Sequence, residues 1–443
     1  MTFRITTFTL LISGFTLAAL AGEELIPDET KKKPDSTATL TLDAQTHFDN
    51  GRDALFRGKY EDAITSLKAA VEADGKQTSY RLYLAKAYRY AKKPEQSETL
   101  LAAILKEAPD HVEAGQLLAE VYYSREKWKD VTSTLEPLLK YRHDFPTYHM
   151  LAEAAYNLSD YENSRKYYRE AIKLNPDSGP DHYQLGNIYL VENRFALAAR
   201  SYETALNLGL DSVVLHYKLA SAYFNLRNYF GHISEATTKA GKAGTISGDF
   251  YLIEAVPGKK DVFRVAPQRS AVFHIERAIE GGLGERADTQ MLLANIYLNA
   301  RRYDRAYEMY ESLGDVVPEE DLALYAFYFA QSAFGVRKYD AYLEQLQTAV
   351  QLDPEAYRSA LVDGYLQVAD RYNQAGQLTR YIDHLALAVN ESPQTTSLHL
   401  KLGNAYEDVR RYKDAVQQWR LVLDLEPDHP ERTRLLNLIR NHS

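Results

Sequence analysis

The sequence predicts an all-α solenoid in which helical hairpins repeat along the chain and stack side by side. Two observations carry this. The first is a register of residues at a near-constant step: Tyr88, Tyr122, Ala155, Tyr189 and Tyr223, then Tyr297, Ala333, Tyr372 and Tyr406. Their spacing stays close to 34 residues except across one gap, which is the signature of a repeat array. The second is the pattern inside each repeat. An apolar residue stands four places before each register residue (Leu84, Leu118, Leu151, Leu185, Leu219, Leu293, Phe329, Val368, Leu402). A short turn follows, then an aromatic residue with a small one three places on, as in Tyr60/Ala63, Phe195/Ala198, Tyr303/Ala306 and Tyr412/Ala415. Spacings of three and four are helical. Prolines 109, 176, 318, 354, 393 and 427 close second helices, because proline cannot continue one. A single hairpin cannot bury its apolar stripe, so neighbours must share a core.

Composition narrows the function. Among 443 residues, Asp and Glu outnumber Lys and Arg by 61 to 52, a net charge of −9, which argues against a nucleic-acid partner. With no cysteine there is no disulfide, thiolate metal site, cysteine nucleophile or lipidated cysteine. Tyrosine is abundant, 34 against 2 Trp and 4 Met, as expected of one aromatic packing slot reused many times.

Read in order, residues 1–21 predict a secretory signal peptide: Arg4 is their only charge, and an apolar run ends in the small-x-small signature Ala19-Leu20-Ala21. The same segment retained as a membrane anchor is the alternative. No other stretch is as apolar, so the mature chain is expected to lack a membrane span. Residues 22–43, with Pro27, Pro34 and Lys31-Lys32-Lys33, read as a flexible linker. Repeats one to six occupy 44–230, the sixth without its second helix. Residues 231–269 are an insertion: DFYLIEAV (249–256) and VFRVA (262–266) flank the turn-rich 257–261 and predict a β-hairpin, with Phe250, Tyr251 and Phe263 offering surface. Residues 270–429 carry the rest of the array, and 430–443 predict a capping helix.

At Leu402-Gly403-Asn404-Ala405-Tyr406, Tyr412-Lys413-Asp414-Ala415 and Leu425-Glu426-Pro427 the chain resembles the tetratricopeptide repeat family, as it does at Leu185-Gly186-Asn187-Ile188-Tyr189 and Leu293-Ala294-Asn295-Ile296-Tyr297. Ten repeats are expected, beginning near Ala44, Thr78, Val112, Phe145, Gly179, Val213, Ala287, Ala323, Val362 and Thr396. The resemblance implies a right-handed superhelix with first helices lining a concave face, in a protein of the exported bacterial type. On that face it places Phe48, Arg52, Leu82, Lys86, Arg89, Glu120, Tyr123, Glu153, Tyr156, Tyr183, Asn187, Tyr217 and Phe224, then Asn295, Phe327, Gln331, Asp370 and Asn404. The lining reads as basic at its start, acidic in repeats three and four, and aromatic and amide-rich in the middle. Family members that grip acidic tails use lysines and arginines there, so an acidic tail is not the expected ligand.

His47, His182, His216 and His399 fill the slot where the family usually has tryptophan. They read as packing residues rather than metal ligands, since no carboxylate follows His182 or His216 at helical spacing. No catalytic motif is present: no G-x-S-x-G, phosphate loop or H-E-x-x-H. The expected function is a non-enzymatic scaffold of the cell envelope, periplasmic or extracellular, that binds a protein or peptide on its concave face without cofactor or metal. An accessory subunit of an envelope export or assembly machine is the alternative, and an enzyme with its site in the insertion the least favoured. Edman sequencing of the exported chain is expected to begin at Gly22; a full-length cytosolic chain would contradict export.

Overall fold

The computed structural model describes residues 36–230, 253–255, 263–265, 269–314 and 316–442. The chain forms two compact units, Met1–Val121 and Tyr122–Ser443. In the first lie α1 (Ser36–Phe56), α2 (Tyr60–Ala73), α3 (Thr78–Tyr90), α4 (Pro94–Glu107) and most of α5 (Val112–Ser124). The second begins with α6 (Trp128–Leu135), α7 (Phe145–Asn157), α8 (Tyr161–Leu174), α9 (Gly179–Val191), α10 (Phe195–Asn207) and α11 (Val213–Asn225). It continues with α12 (Ala271–Ala278), α13 (Ala287–Asn299), α14 (Tyr303–Leu313), α15 (Leu322–Gly335) and α16 (Tyr339–Leu352). It ends with α17 (Pro354–Gln374), α18 (Leu378–Glu391), α19 (Thr396–Asp408), α20 (Tyr412–Leu425) and α21 (Arg432–His442). Within the units α1 packs on α2, α3 on α4, and α7 on α8 through α19 on α20. Each second helix from α8 onward then meets the next first helix.

What brings two helices of a hairpin together is a small residue on the first, at the eighth position of each repeat. Ala85, Ala152, Ala220, Ala294, Ala330 and Ala369 are fully enclosed there. Glycine takes the same place where the second helix presents a bulky side chain at closest range. A Cβ on Gly51 would lie 2.5 Å from Leu67, one on Gly186 2.6 Å from the Tyr202 ring, and one on Gly403 2.7 Å from Trp419. The opposing residues, Leu67, Leu101, Tyr168, Tyr202, Tyr310, Leu346 and Trp419, are wholly buried.

Each first helix ends the same way. One residue takes a positive φ (Gly58, Lys92, Glu126, Ser159, Asn193, Arg227, Arg301, Arg337, Gly376, Arg410). The next amide then bonds back to the register carbonyl: Lys93 to Tyr88 at 2.8 Å, Arg194 to Tyr189 at 2.8 Å, Arg411 to Tyr406 at 2.9 Å. This left-handed cap satisfies carbonyls that the helix leaves unpaired. The residue that betrays the repeat in the sequence is therefore the one whose carbonyl closes its turn.

Two boundaries differ from the sequence reading. Helix α1 begins at Ser36, so the end of the expected 22–43 linker is helical. Pro354 follows the C-cap of α16, as expected, and also opens the next helix at once. Asp353 caps α17 by accepting from the Ala356 amide at 3.1 Å, and Pro354 occupies the first turn, where its missing N–H costs nothing. The 39-residue step before Tyr372 reflects this longer first helix.

The insertion leaves and rejoins the array at one place. After α11 the Asn228 carbonyl accepts from Ala271 N at 2.9 Å and the Tyr229 carbonyl from Val272 N at 3.0 Å. Asn228 Nδ2 donates to the Arg269 carbonyl, and Glu203 holds Arg269 at 2.7 Å. Between these points, strands β1 (Ile253–Ala255) and β2 (Phe263–Val265) pair antiparallel, Glu254 opposite Arg264. Phe250 and Tyr251 lie outside the described residues, as do the expected signal peptide and most of the linker. No helix among the described residues is long and apolar enough to cross a membrane.

Valine at position 186 or 403 would relieve glycine's poor helix propensity by a few tenths of a kcal/mol. Its branched side chain would also drive into Tyr202 or Trp419, and overpacking of this kind costs about 1–3 kcal/mol. Overpacking wins, so Gly186→Val and Gly403→Val are each expected to lower the urea midpoint followed by circular dichroism. An unchanged midpoint would show that the approach is not tight.

Candidate functional site

Apart from Phe250, Tyr251 and Phe263 in the insertion, the candidate residues belong to the first-helix face. In the first unit, Phe48 is only 7% exposed and packs against Tyr80 (ring centroids 4.7 Å apart) and Tyr83 (5.2 Å). It is a core residue rather than an open one, as is the buried Leu82. The expected basic stretch is neutralised between helices: Lys86 pairs with Glu113 at 2.6 Å and Arg89 with Glu120 at 2.8 Å. Arg52 stays exposed beside Asp49.

In the second unit, Glu153 belongs to a polar cluster. Tyr123 donates to it, and His149 Nε2 lies 3.4 Å away. The other ring nitrogen of His149 meets Asp181 at 2.6 Å; Asp181 is fully buried, and its backbone N–H donates to the hydroxyl of Ser178, the N-cap of α9. Asp181 Oδ2 has no hydrogen bond among the described residues, so the carboxylate depends on His149. Burial alone would discharge His149, but the Asp181 hydrogen bond and the charges of Asp181 and Glu153 outweigh it and pull the imidazole pKa up.

The three asparagines of the amide-rich reading have inward roles. Asn187 is 4% exposed, and its Oδ1 accepts from the Tyr202 hydroxyl at 2.8 Å. Asn295 accepts from Tyr310 at 2.8 Å, and Asn404 from Trp419 Nε1 at 3.3 Å. In each case the donor lies fifteen residues on, the same ring that rests on the small residue one place earlier. These amides serve the hairpin, because a buried phenol or indole needs a partner. Glu153 holds the equivalent place before Tyr168, but its carboxylate is taken by Tyr123 and His149.

What remains open is aromatic. Tyr156, Tyr183, Tyr217 and Phe224 are half-buried on α7, α9 and α11. Beside them stands Lys218, which the sequence reading passed over. Its ammonium lies 2.7 Å from Asn187 Oδ1 and 5.5 Å from the Tyr183 ring centroid. Burial pulls its pKa down to about 8, and no carboxylate among the described residues pairs with it. Further along, Phe327 packs on Tyr357 and Gln331 is half-buried, while Asp370 is tied to Lys401 at 3.0 Å. Arg301, Arg337 and Arg371, also missed, gather near Phe327 and Gln331. Two of them occupy the positive-φ turn place, which other repeats fill variously with glycine, serine, asparagine, lysine, glutamate or arginine, so the sequence carried little signal for them.

The histidine slot ties loops. His182 Nε2 donates to the Pro176 carbonyl at 3.1 Å and His399 Nε2 to the Pro393 carbonyl at 2.9 Å. His216 meets His274 at 2.7 Å through one ring nitrogen and Asp211 at 3.0 Å through the other. Among the described residues no group of three or more His, Asp or Glu is arranged to hold a metal.

Models of the tetratricopeptide repeat match residues 54–114 and 90–155, 145–178, and 291–321. The chain is a tetratricopeptide repeat protein. Among curated relatives, protein O-mannosyl-transferase TMTC1 of Homo sapiens is 26% identical over 172 residues, 37% of this chain and 19% of its own length. TPR repeat-containing protein YpiA of Bacillus subtilis (strain 168) is 28% identical over 115 residues, 26% of this chain and 27% of its own. This tetratricopeptide repeat chain thus spans less than a third of either. Among solved structures, MamA (41-end) from Desulfovibrio magneticus RS-1 is 20% identical, with 38% of this chain and 98% of that one covered at a TM-score of 0.36. Pseudomonas aeruginosa pilF is 13% identical, covering 42% and 86%, also at 0.36.

A histidine whose folded pKa is raised contributes stability that is complete below its unfolded value, near 6.5, and lost as pH rises through the folded value. Melting temperature is therefore expected to fall above about pH 6.5 more steeply in the native chain than in His149→Gln. Superimposable pH profiles for the two would remove the Asp181–His149 tie from the account.

Proposed function

We propose that this tetratricopeptide repeat protein is a non-enzymatic scaffold of the cell envelope that holds a polypeptide along the first-helix face of its second unit. The observation that carries this is the open aromatic row of Tyr156, Tyr183, Tyr217 and Phe224 flanking Lys218. Tyrosines offer a peptide rigid apolar area at small entropic cost. Lys218 has lost hydration without gaining a carboxylate, so a carbonyl or carboxylate from a partner would restore what burial took away. Export is supported by the charge-poor, apolar residues 1–21 and their Ala19-Leu20-Ala21 ending. The absence of catalytic motifs from the sequence supports a binding role, and tetratricopeptide repeats support a protein–protein interaction scaffold.

The test begins with crosslinking in an envelope fraction to identify the partner, followed by affinity measurement with that partner purified. Tyr183→Ala combined with Tyr217→Ala is expected to weaken binding about tenfold to a hundredfold while helicity is retained, since aromatic anchors at interfaces often carry 1–2 kcal/mol each. Asn187 is left intact, because it serves Tyr202 and Lys218 internally. Unchanged affinity would overturn the assignment of this face, and a matching loss of helicity would return both tyrosines to the core.

A further inference from the structure

Where α13, α15 and α17 end, the second unit encloses a hollow of about 800 Å³. Phe327, Phe334 and Tyr339 wall it, and three guanidinium groups, those of Arg301, Arg337 and Arg371, stand around it. Arg301 and Arg337 hold equivalent turn positions in successive repeats, with φ of 59° and 62°. A glycine, not an arginine, would be the unstrained choice there. Arg371 lies over the Phe334 ring at 6.0 Å and reaches only Gln374 Oε1, at 3.4 Å. No carboxylate among the described residues pairs with any of the three, and none lines the hollow.

About half of the arginines among the described residues pair with acids, as in Arg165–Glu192, Arg269–Glu203 and Arg286–Asp288, and the protein as a whole is acidic by nine charges. Three unneutralised arginines around one aromatic hollow are therefore a local reversal of charge. The walls also constrain the occupant. Phe334 is inclined to Tyr339 by 51°, and Phe327 to Tyr328 by 57°. Tilted rings make a cleft for one inserted side chain, not a flat platform on which sugar rings could stack in series. Gln331, on the same wall, supplies an amide that can bond a peptide backbone.

We propose that this hollow binds an acidic peptide segment, one whose aromatic side chain enters the cleft while flanking Asp or Glu carboxylates meet Arg301, Arg337 and Arg371. Guanidinium groups suit this because their planar fork takes a carboxylate through two parallel hydrogen bonds. The proposal rests on the reading of the first-helix face as a polypeptide surface and names the partner chemistry for a second stretch of it. It also revises the expectation that acidic ligands are disfavoured. That expectation came from the inner positions of the middle repeats, whereas two of these arginines are carried by turns.

The test uses the full chain and fluorescein-labelled peptides of sequence Glu-Asp-Phe-Glu-Asp, Gln-Asn-Phe-Gln-Asn and Glu-Asp-Gly-Glu-Asp, with a heparin hexasaccharide as the anionic sugar. Fluorescence anisotropy should show the first peptide binding at least about tenfold tighter than either variant peptide, with salt-sensitive affinity. Arg301→Gln, Arg337→Gln and Arg371→Gln combined should abolish that preference, while Arg305→Gln, a surface change beside Glu308, should not. Equal binding of the acidic and amide peptides would overturn the proposal, as would an unaffected triple variant or binding of heparin alone. Tyr183→Ala with Tyr217→Ala should leave this peptide's affinity within twofold. Loss of partner binding in that pair, with the peptide still bound, would therefore report on the tyrosine face alone, and the converse on the hollow alone.

Discussion

The distance between the two helices of a hairpin is set by what the first helix leaves out. With glycine or alanine at the eighth position of the repeat, the opposing Leu, Tyr or Trp lies flat on bare backbone, and everything else in the repeat is arranged around that contact. The bulky residue is then completely shielded, so its polar end, where it has one, must be satisfied inside the hairpin. The left-handed cap follows as well, since a second helix this close leaves room for only a two- or three-residue return, which a single positive φ provides.

This ordering decides which side chains are free to meet a partner. Polar residues on the first helices fall into three groups by what they already touch. Some satisfy buried aromatics, as the asparagines at 187, 295 and 404 do. Others neutralise a neighbouring repeat: Lys86 with Glu113, Arg89 with Glu120, Lys401 with Asp370. A remainder, Lys218 and Arg371 on first helices with Arg301 and Arg337 in the turns that follow them, has no ion pair among the described residues. Exposed ion pairs of the second kind contribute little to stability. They do cancel the field that a charge tally along the sequence would assign to the face.

The repeat was legible because its period is written in the residues that close turns and admit close helix approach. Neither depends on partners or on distant parts of the chain. The ends of helices were less so. Pro354 reads as the terminator of α16 in a one-dimensional pattern, and only the Asp353 cap reveals it as a first-turn residue of α17 as well. Side-chain direction within the face was harder still. Asn187 and Tyr183 both sit on α9, four residues apart, yet one turns inward to a phenol and the other stays half open. A clue existed in the sequence itself: asparagine at this slot occurs with an aromatic residue fifteen places on, as with Tyr202, Tyr310 and Trp419. Lys218 and the turn arginines escaped because the family pattern assigns their positions no role.

The closure at Asn228 and Ala271 has a consequence for how this array can change. Three backbone and side-chain hydrogen bonds and one ion pair hold the chain where the inserted segment departs and rejoins, so α12 docks on α11 as a directly connected helix would. The entropy of closing a loop grows only with the logarithm of its length, roughly 0.6 kcal/mol for each doubling. Lengthening, shortening or rewriting the segment between those bonds therefore perturbs the stack very little. The sixth repeat is a docking port in the evolutionary sense, where new sequence can be tried without renegotiating the register of its neighbours.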